Sequence, residues 1–412
     1  MRTSRSRGCA RRSRRRTAPS SWTAPRLSGP SRSDSRRALG LLALALVLSM
    51  STWFSASAVL PQLRDEWGIG NTAGAWLTIA VQLGFVAGAL GSSVVNLADV
   101  RSARAVIVAG SLGAAGANVG LLAVSSAAGA IPLRFLTGVF LAGVYPPALK
   151  LMSTWFVRGR GTALGILVGA LSVGSAAPHL VNGLGGLDWQ LVVAVTSALT
   201  AAGALVVLAG VHEGPFPFPR AVFDPRQAGL VFRNRGVRLA SLGYFGHMWE
   251  LYAMWAWFGV FAAERLYADR ADAAVATFAV IAAGGIGCIA GGLAGDRFGR
   301  PETTAACMVA SGLCALSIGL VPHGLALAVG LVWGFTVVAD SAQFSTLVTE
   351  HADQAYVGTA LTLQLAVGFT LTVTTIWLLP TLVDGVGWDY AFAFLAAGPA
   401  LGVAAMLRLR GV

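Results

Sequence analysis

The sequence predicts an all-α membrane protein with about twelve transmembrane helices in two six-helix, pseudo-symmetric bundles. Three observations carry this. Of the 412 residues, 55% are hydrophobic and only 12% are charged, too little charge for a surface that faces water. Runs of about 20 apolar residues, the length a helix needs to cross a bilayer, recur along the chain. Finally, a charged turn between two apolar runs occurs twice, about half a chain apart. One copy is Asn96-Leu97-Ala98-Asp99-Val100-Arg101-Ser102-Ala103-Arg104, and the other is Gly292-Leu293-Ala294-Gly295-Asp296-Arg297-Phe298-Gly299-Arg300. An acidic residue followed by basic ones, once per half, implies two copies of one bundle. The 51 glycines fit this class, because small residues let helices approach closely in lipid.

Residues 1–37 form an Arg/Ser/Pro-rich tail that cannot bury a core, so disorder is expected. The tail holds twelve of the 30 basic residues and one acid, Asp34, so it carries +11 of the net charge of +12. The body is nearly neutral, and the basic balance gives no argument for nucleic acid. The tail reads as a segment for anionic lipid, as a positive-inside flank, or as translation from an over-extended start. Ser35-Arg36-Arg37, the apolar run 39–48 and Ala56-Ser57-Ala58 imitate a twin-arginine signal. The apolar segment runs on to Leu60 and more spans follow, so an uncleaved first span over 39–60 is expected.

Span 2 (73–95) leads through the first charged turn into span 3 (104–126). Span 4 (130–152) carries Arg134 and, near its end, Tyr145-Pro146-Pro147 followed by Lys150. The prolines should kink it and free carbonyls that could line a cavity, and Lys150 is placed to snorkel. Span 5 (161–183) holds Gly165, Gly169, Gly174 and Pro178, read as close helix packing, and then His179. Span 6 (189–211) ends at a linker, 212–237, rich in proline and arginine. Span 7 (238–262) contains Tyr244, His247, Trp249, Glu250, Tyr252, Trp255 and Trp257. Spans 8 (274–294) and 9 (303–321) flank the second turn. Span 10 (325–348) carries Asp340 and Gln343. Spans 11 (356–380) and 12 (388–407) complete the set. The expected domains are the tail, a bundle over 38–211, the linker, and a bundle over 238–412.

Arginine placement sets the expected orientation. With the N-terminus inside, the inner loops hold Arg101, Arg104, Arg158, Arg160, the linker arginines, Arg297 and Arg300. The outer loops hold only Arg64, Arg265 and Arg270. Both termini are therefore expected in the cytoplasm, in a multi-pass cell-membrane (plasma or inner membrane) protein.

At this point the chain resembles the major facilitator superfamily. Gly292, Asp296, Arg297, Gly299 and Arg300 fit its Gly-x-x-x-Asp-Arg-x-Gly-Arg signature. The first turn is a degenerate copy that keeps Asp99, Arg101 and Arg104, with Val95 at the glycine position. Arg134 to Gly138 resembles the family's Arg-x-x-x-Gly element, and the six–linker–six layout extends the likeness over 40–407. The resemblance implies two bundles rocking about a central cavity lined by spans 1, 4, 7 and 10. It also implies that both turns act as cytoplasmic gating motifs. The bland alternative is that Arg101, Arg104, Arg297 and Arg300 are positive-inside anchors.

Ionisable residues at membrane depth are costly and point to function. The expected solute and proton path comprises Arg134, Tyr145, Tyr244, His247, Glu250, Asp340 and Gln343. His247 and Glu250 share a helix face at i and i+3, and the surrounding aromatic rings offer a rigid cavity wall. A carboxyl held out of water takes a proton more readily, so Glu250 or Asp340 could couple transport to protons. Each also has a structural reading: His247–Glu250 as a pair, Asp340 as a helix-packing carboxyl, Arg134 as a tie between spans. Spans 2 and 8 lack the arginines of nitrate porters, which argues against nitrate.

No phosphate-binding Gly-Lys-Ser/Thr loop exists, so an ATP-driven pump is excluded. The five histidines are scattered, and Cys9, Cys288, Cys307 and Cys314 show no metal spacing. No cofactor, no metal and no enzymatic activity are expected. The expected function is secondary transport of a small solute by alternating access, coupled to protons, in a monomer within the lipid bilayer. The alternatives are facilitated or exchange transport of a small anion around Arg134, and a non-transporting sensor with the same fold.

Overall fold

A backbone in hydrocarbon has no water to satisfy its polar groups, so apolar runs of this length close their hydrogen bonds within helices. The computed structural model describes residues 32–156, 159–184, 188–216, 226, 228–353 and 357–411. The expected tail up to residue 31, Arg158 and the linker residues 217–225 and 227 lie outside them.

The main helices are α1 (Arg32–Met50), α2 (Asn71–Val94), α3 (Ala103–Val119), α4 (Ala127–Leu141), α5 (Arg160–Gly183), α6 (Trp189–Gly210), α7 (Arg235–Phe261), α8 (Arg270–Phe298), α9 (Arg300–Ser317), α10 (His323–Ala339), α11 (Val357–Ala391) and α12 (Ala397–Leu409). Short helices prolong three of them: Ser55–Ala58 and Leu60–Trp67 follow α1, Tyr145–Ser153 follows α4, and Ser341–His351 follows α10. Among the described residues, eight helical stretches are long and apolar enough to cross a membrane. One of these, Val357–Leu409, is 53 residues long and turns back at Gly387, where φ is 69°. At 1.5 Å per residue it suffices for two crossings of a core about 30 Å thick. With α1, α7 and α9, the arrangement is consistent with twelve spans.

Helix pairing repeats when six is added to each number. In the first half α2 packs on α4, α1 on α5 and α6, and α3 on α4 and α6. In the second, α8 packs on α10, α7 on α11 and α12, and α9 on α10 and α12. Two seams join the halves, α5 against α8 and α2 against α11. The repeat reaches individual glycines. A Cβ on Gly84 of α2 would lie 2.0 Å from the Phe135 carbonyl oxygen of α4, and one on Gly287 of α8 the same 2.0 Å from that of Phe335 on α10. Only glycine permits either approach. Outside, Leu205, Ile286, Leu313 and Leu401 are each more than half exposed, an apolar exterior suited to lipid.

Two expectations change. The first helix starts at Arg32, inside the stretch expected to be disordered tail. Nothing between Arg32 and Leu39 breaks a helix, Asp34 in the first turn complements the dipole, and Ser35 and Ala38 are buried. The first span is also not one rod over 39–60. It breaks at Ser51–Phe54 and resumes as Ser55–Ala58 and Leu60–Trp67.

Candidate functional site

The break in α1 explains Arg134. Its guanidinium is fully buried and donates from Nη1 to the Thr52 carbonyl (2.9 Å), Ser55 Oγ (3.0 Å) and Asn118 Oδ1 (3.1 Å). Nε donates to the Leu77 carbonyl at 3.2 Å, and Nη2 to the Trp53 carbonyl. The carbonyls that α1 frees at its break are thus satisfied by a side chain from α4. Asn118 of α3 completes the hub: it accepts from Ser55 Oγ at 2.6 Å and donates to Ser197 Oγ of α6 at 2.9 Å. Sequence reasoning missed Asn118, Ser55 and the break, because the signal is a tertiary contact of one polar residue per helix.

The second half holds a counterpart of opposite charge. Glu250 of α7 is 1% exposed. Its Oε1 accepts from Trp333 Nε1 of α10 at 2.7 Å, and its Oε2 from Ser311 Oγ of α9 at 2.9 Å. Ser311 has a second acceptor in reach, the Met308 carbonyl at 3.2 Å.

His247 and Glu250 share a face but do not pair. His247 Nδ1 lies 2.9 Å from Asp340 Oδ1, an ion-pair contact without hydrogen-bond alignment, with both side chains 2% exposed. Its Nε2 shares a hydrogen bond with Ser341 Oγ at 2.9 Å. Asp340 sits at the interruption between α10 and Ser341–His351, where the helix lets both residues turn toward α7.

Gln343 stands apart from Asp340. Its Nε2 donates to the Gly291 carbonyl of α8 at 3.0 Å, and its Oε1 accepts from Arg300 Nη1 at 2.8 Å. Arg300 also pairs with Asp296 and Glu350, each at 3.0 Å. The second charged turn therefore ties α8, α9 and the Ser341–His351 helix together, with Gln343 as a member. Gly299, at φ 98°, ends α8 in a conformation that favours glycine. Gly292 has open space around its Cβ position, whereas Gly295 packs on Gln343. Arg297 is exposed over the Phe298 ring.

The first turn differs. Asn96 takes a positive φ of 48°, so α2 ends before the motif. Arg104 donates to the Leu208 carbonyl of α6, and Arg101 is exposed. The Asp99 side chain lies outside the described set. Tyr145 and Tyr244 are half-buried, and Tyr244 meets the Phe344 ring edge-on at 5.9 Å.

Between the halves lies an aromatic junction that the sequence did not reveal. Trp53 meets Phe85 of α2 at 4.9 Å, Tyr252 of α7 at 5.8 Å and Phe369 of α11 at 5.9 Å between ring centres. Phe54 stacks on Tyr252 at 6.2 Å and meets Trp255 edge-on at 5.9 Å. Each of these six rings is at most 5% exposed. Only Tyr252 and Trp255 belong to the aromatic cluster visible in the sequence. The others come from helices whose rings carry no local pattern.

The end of the molecule opposite the termini is bridged across the halves. Asp65 pairs with Arg270 at 3.0 Å and Arg64 with Glu264 at 3.6 Å, while Asn71 donates to Asp384 at 3.4 Å. Along the α2–α11 seam, Asn71 faces Asp384, Phe85 faces Phe369, and Ser93 lies 3.4 Å from Thr362. Each advance on α2 is matched by a retreat on α11, so this seam is shut along its length. The α5–α8 seam is shut likewise, from Gly165 beside Cys288 to Gly183 beside Val275.

Known proteins resemble this chain in sequence and in fold. The family model described as Major Facilitator Superfamily matches residues 42–371. A protein of Escherichia coli O157:H7 named "Uncharacterized transporter YgaY" is 30% identical over 42% of this chain and 44% of its own. The chain thus spans less than half the length of that relative. The Streptomyces coelicolor protein named "Probable transporter SCO4007" is 27% identical over 74% of this chain and 71% of its own. Among solved structures, that of a D-xylose-proton symporter superposes with a TM-score of 0.72, covering 91% of this chain and 97% of that one at 14% identity. At that identity the likeness concerns the fold.

Proposed function

Because the chain belongs to the major facilitator superfamily, we propose that it is a proton-coupled secondary transporter of a small solute that works by alternating access. The halves that move are 38–211 and 238–412, joined by 212–237. The arginine distribution supports termini and charged turns on the cytoplasmic side of the cell membrane. The whole path lies within one chain, which supports a monomer as the working unit.

The observation that carries the proton-coupled reading is the pairing of Glu250 with Ser311. A proton carrier needs both of its states satisfied. As a carboxylate, Glu250 accepts from Ser311 at 2.9 Å. When protonated it can donate to the same oxygen, and the serine hydroxyl can turn to the Met308 carbonyl at 3.2 Å. Neither state strands a buried polar group, the usual cost at such a site. Asp340 is a second candidate carrier, with the His247 imidazole 2.9 Å away as its neighbouring titratable group. Anion exchange around Arg134 has less support, because each of its nitrogens already donates to the protein.

A thermal-shift screen of the purified protein identifies the solute, because a bound solute raises stability by mass action. Its uptake into proteoliposomes under an imposed proton gradient is then measured for wild type, Glu250→Gln and Asp340→Asn. Loss of gradient-driven accumulation with retained counterflow exchange is the expected result. Normal accumulation in both variants would reject proton coupling through these carboxyls.

A further inference from the structure

Buried polar groups without partners mark where something polar belongs. Among the described residues, several of these converge on the aromatic junction. Gln82 is 0% exposed, and neither its Nε2 nor its Oε1 has a hydrogen-bond partner. Trp53 Nε1 and Trp255 Nε1 are equally buried and unpartnered. Gln82 precedes Phe85 by one helical turn on the same face of α2. That face also carries Thr78, whose hydroxyl lies 2.6 Å from Ser57 Oγ beyond the α1 break. Gln82 therefore sits between that contact and the Trp53–Phe85 pair, at the junction of the two halves.

The chemistry of the junction is neutral. Among the described residues the buried Asp, Glu, Lys and Arg side chains are Arg134, Glu250 and Asp340. Arg134 is taken by backbone carbonyls, Glu250 by Trp333 and Ser311, and Asp340 lies against His247. Asp340 Oδ1 has no hydrogen bond, but it lies beside the His247 ring and not among the rings of the junction. A charged solute there would lose its hydration with no counter-charge among those rings, a heavy cost in a low-dielectric interior. Two indole N–H groups can only donate, and one amide can both donate and accept. The rings around them offer flat apolar faces.

We propose that the junction of Trp53, Gln82 and Trp255 with Phe54, Phe85, Tyr252 and Phe369 binds the transported solute, and that this solute is an uncharged, planar molecule with hydrogen-bond-accepting edges, such as an aromatic or cyclic amide. This deepens the transport reading by naming the class of solute. In the shut conformation the two indoles and the amide are buried without partners, and a solute of this class, admitted when one end opens, supplies hydrogen-bonding groups they lack.

The test is a thermal-shift titration of the purified full chain in detergent with matched probes: benzamide, benzoate and benzylammonium, then nicotinamide, nicotinate and 3-pyridylmethylammonium. The amides are expected to raise the midpoint and their charged counterparts to leave it in place. Gln82→Leu, and separately Trp53→Phe, which keeps a ring and removes the N–H, should each weaken amide binding about tenfold. Gln82→Glu should recruit the ammonium probes. Silence of both amides, equal binding of a charged probe, or unchanged affinity in all three variants would overturn the proposal. The two readings fail separately. An amide that binds but is not carried into proteoliposomes counts against transport and leaves this site standing. A charged solute accumulated under a proton gradient does the reverse.

Discussion

At the scale of single residues, the two buried charges Arg134 and Glu250 do similar work with opposite sign. Arg134 crosses from α4 to the broken α1 and to α3, and Glu250 crosses from α7 to α9 and α10. Removing one side of such a buried network leaves the remaining groups without partners. Arg134→Met should therefore destabilise the protein by about 3 kcal/mol or more, read as a fall in the thermal midpoint in detergent. Arg134→Lys should recover only part of it, because a lysine cannot reach three helices with a planar fork. A midpoint unchanged in Arg134→Met would contradict the role assigned to it. Ser311→Ala gives a finer test of Glu250. It removes the hydroxyl proposed to serve both protonation states, so proton-driven accumulation should weaken while counterflow exchange persists. Equal loss of both would mean that Ser311 only supports the fold.

At the scale of elements, helix contacts are set by where backbone meets backbone. Gly84 and Gly287 occupy the same place in the two halves, each against a carbonyl of the fourth helix of its bundle. An added methyl cannot fit without moving a helix, and overpacking of this kind costs about 1–3 kcal/mol. Gly84→Ala and Gly287→Ala should lower the thermal midpoint to a similar degree, whereas Gly292→Ala, with open space around it, should leave it unchanged. A large loss in Gly292→Ala would show that the first glycine of the motif acts through something other than packing in this state. The two charged turns illustrate what a motif conveys. The second forms a network through Arg300, Asp296, Glu350 and Gln343. The first, with Asn96 at a positive φ, has a different backbone path despite its similar residues.

At the scale of the whole molecule, both seams between the halves are shut, so the proposed alternating access requires one end to open. The end opposite the termini is held by the Arg270–Asp65 pair, whose side chains are 58% and 67% exposed, and by Arg64–Glu264, at 20% and 47%. An exposed pair such as Arg270–Asp65 is worth at most about 1 kcal/mol, so that contact is easily released. Charge reversal at Asp65 and Glu264, both to Lys, should favour opening there. A cysteine at Gln82, in a chain whose four native cysteines are alanine, should then react faster with a membrane-impermeant maleimide in intact cells. Unchanged labelling would mean that the aromatic junction, and not the ion pairs, holds this end closed.

What the sequence by itself determined was periodic or compositional: the helical spans, the two six-helix bundles, the repeated turn, and the presence of Arg134, Glu250 and Asp340 within apolar stretches. Apolar length and charge placement are local properties, so they can be read along one dimension. The tertiary structure decided how those residues are partnered. His247 turned to Asp340 and not to Glu250, and Gln343 joined the Arg300 network. A gap in α1 was filled from α4, and rings from α1, α2, α7 and α11 met at one junction. These contacts join residues 16 to more than 300 positions apart. They exist only once lipid-excluded packing has brought the helices together, where each buried polar group must find a partner or wait for one.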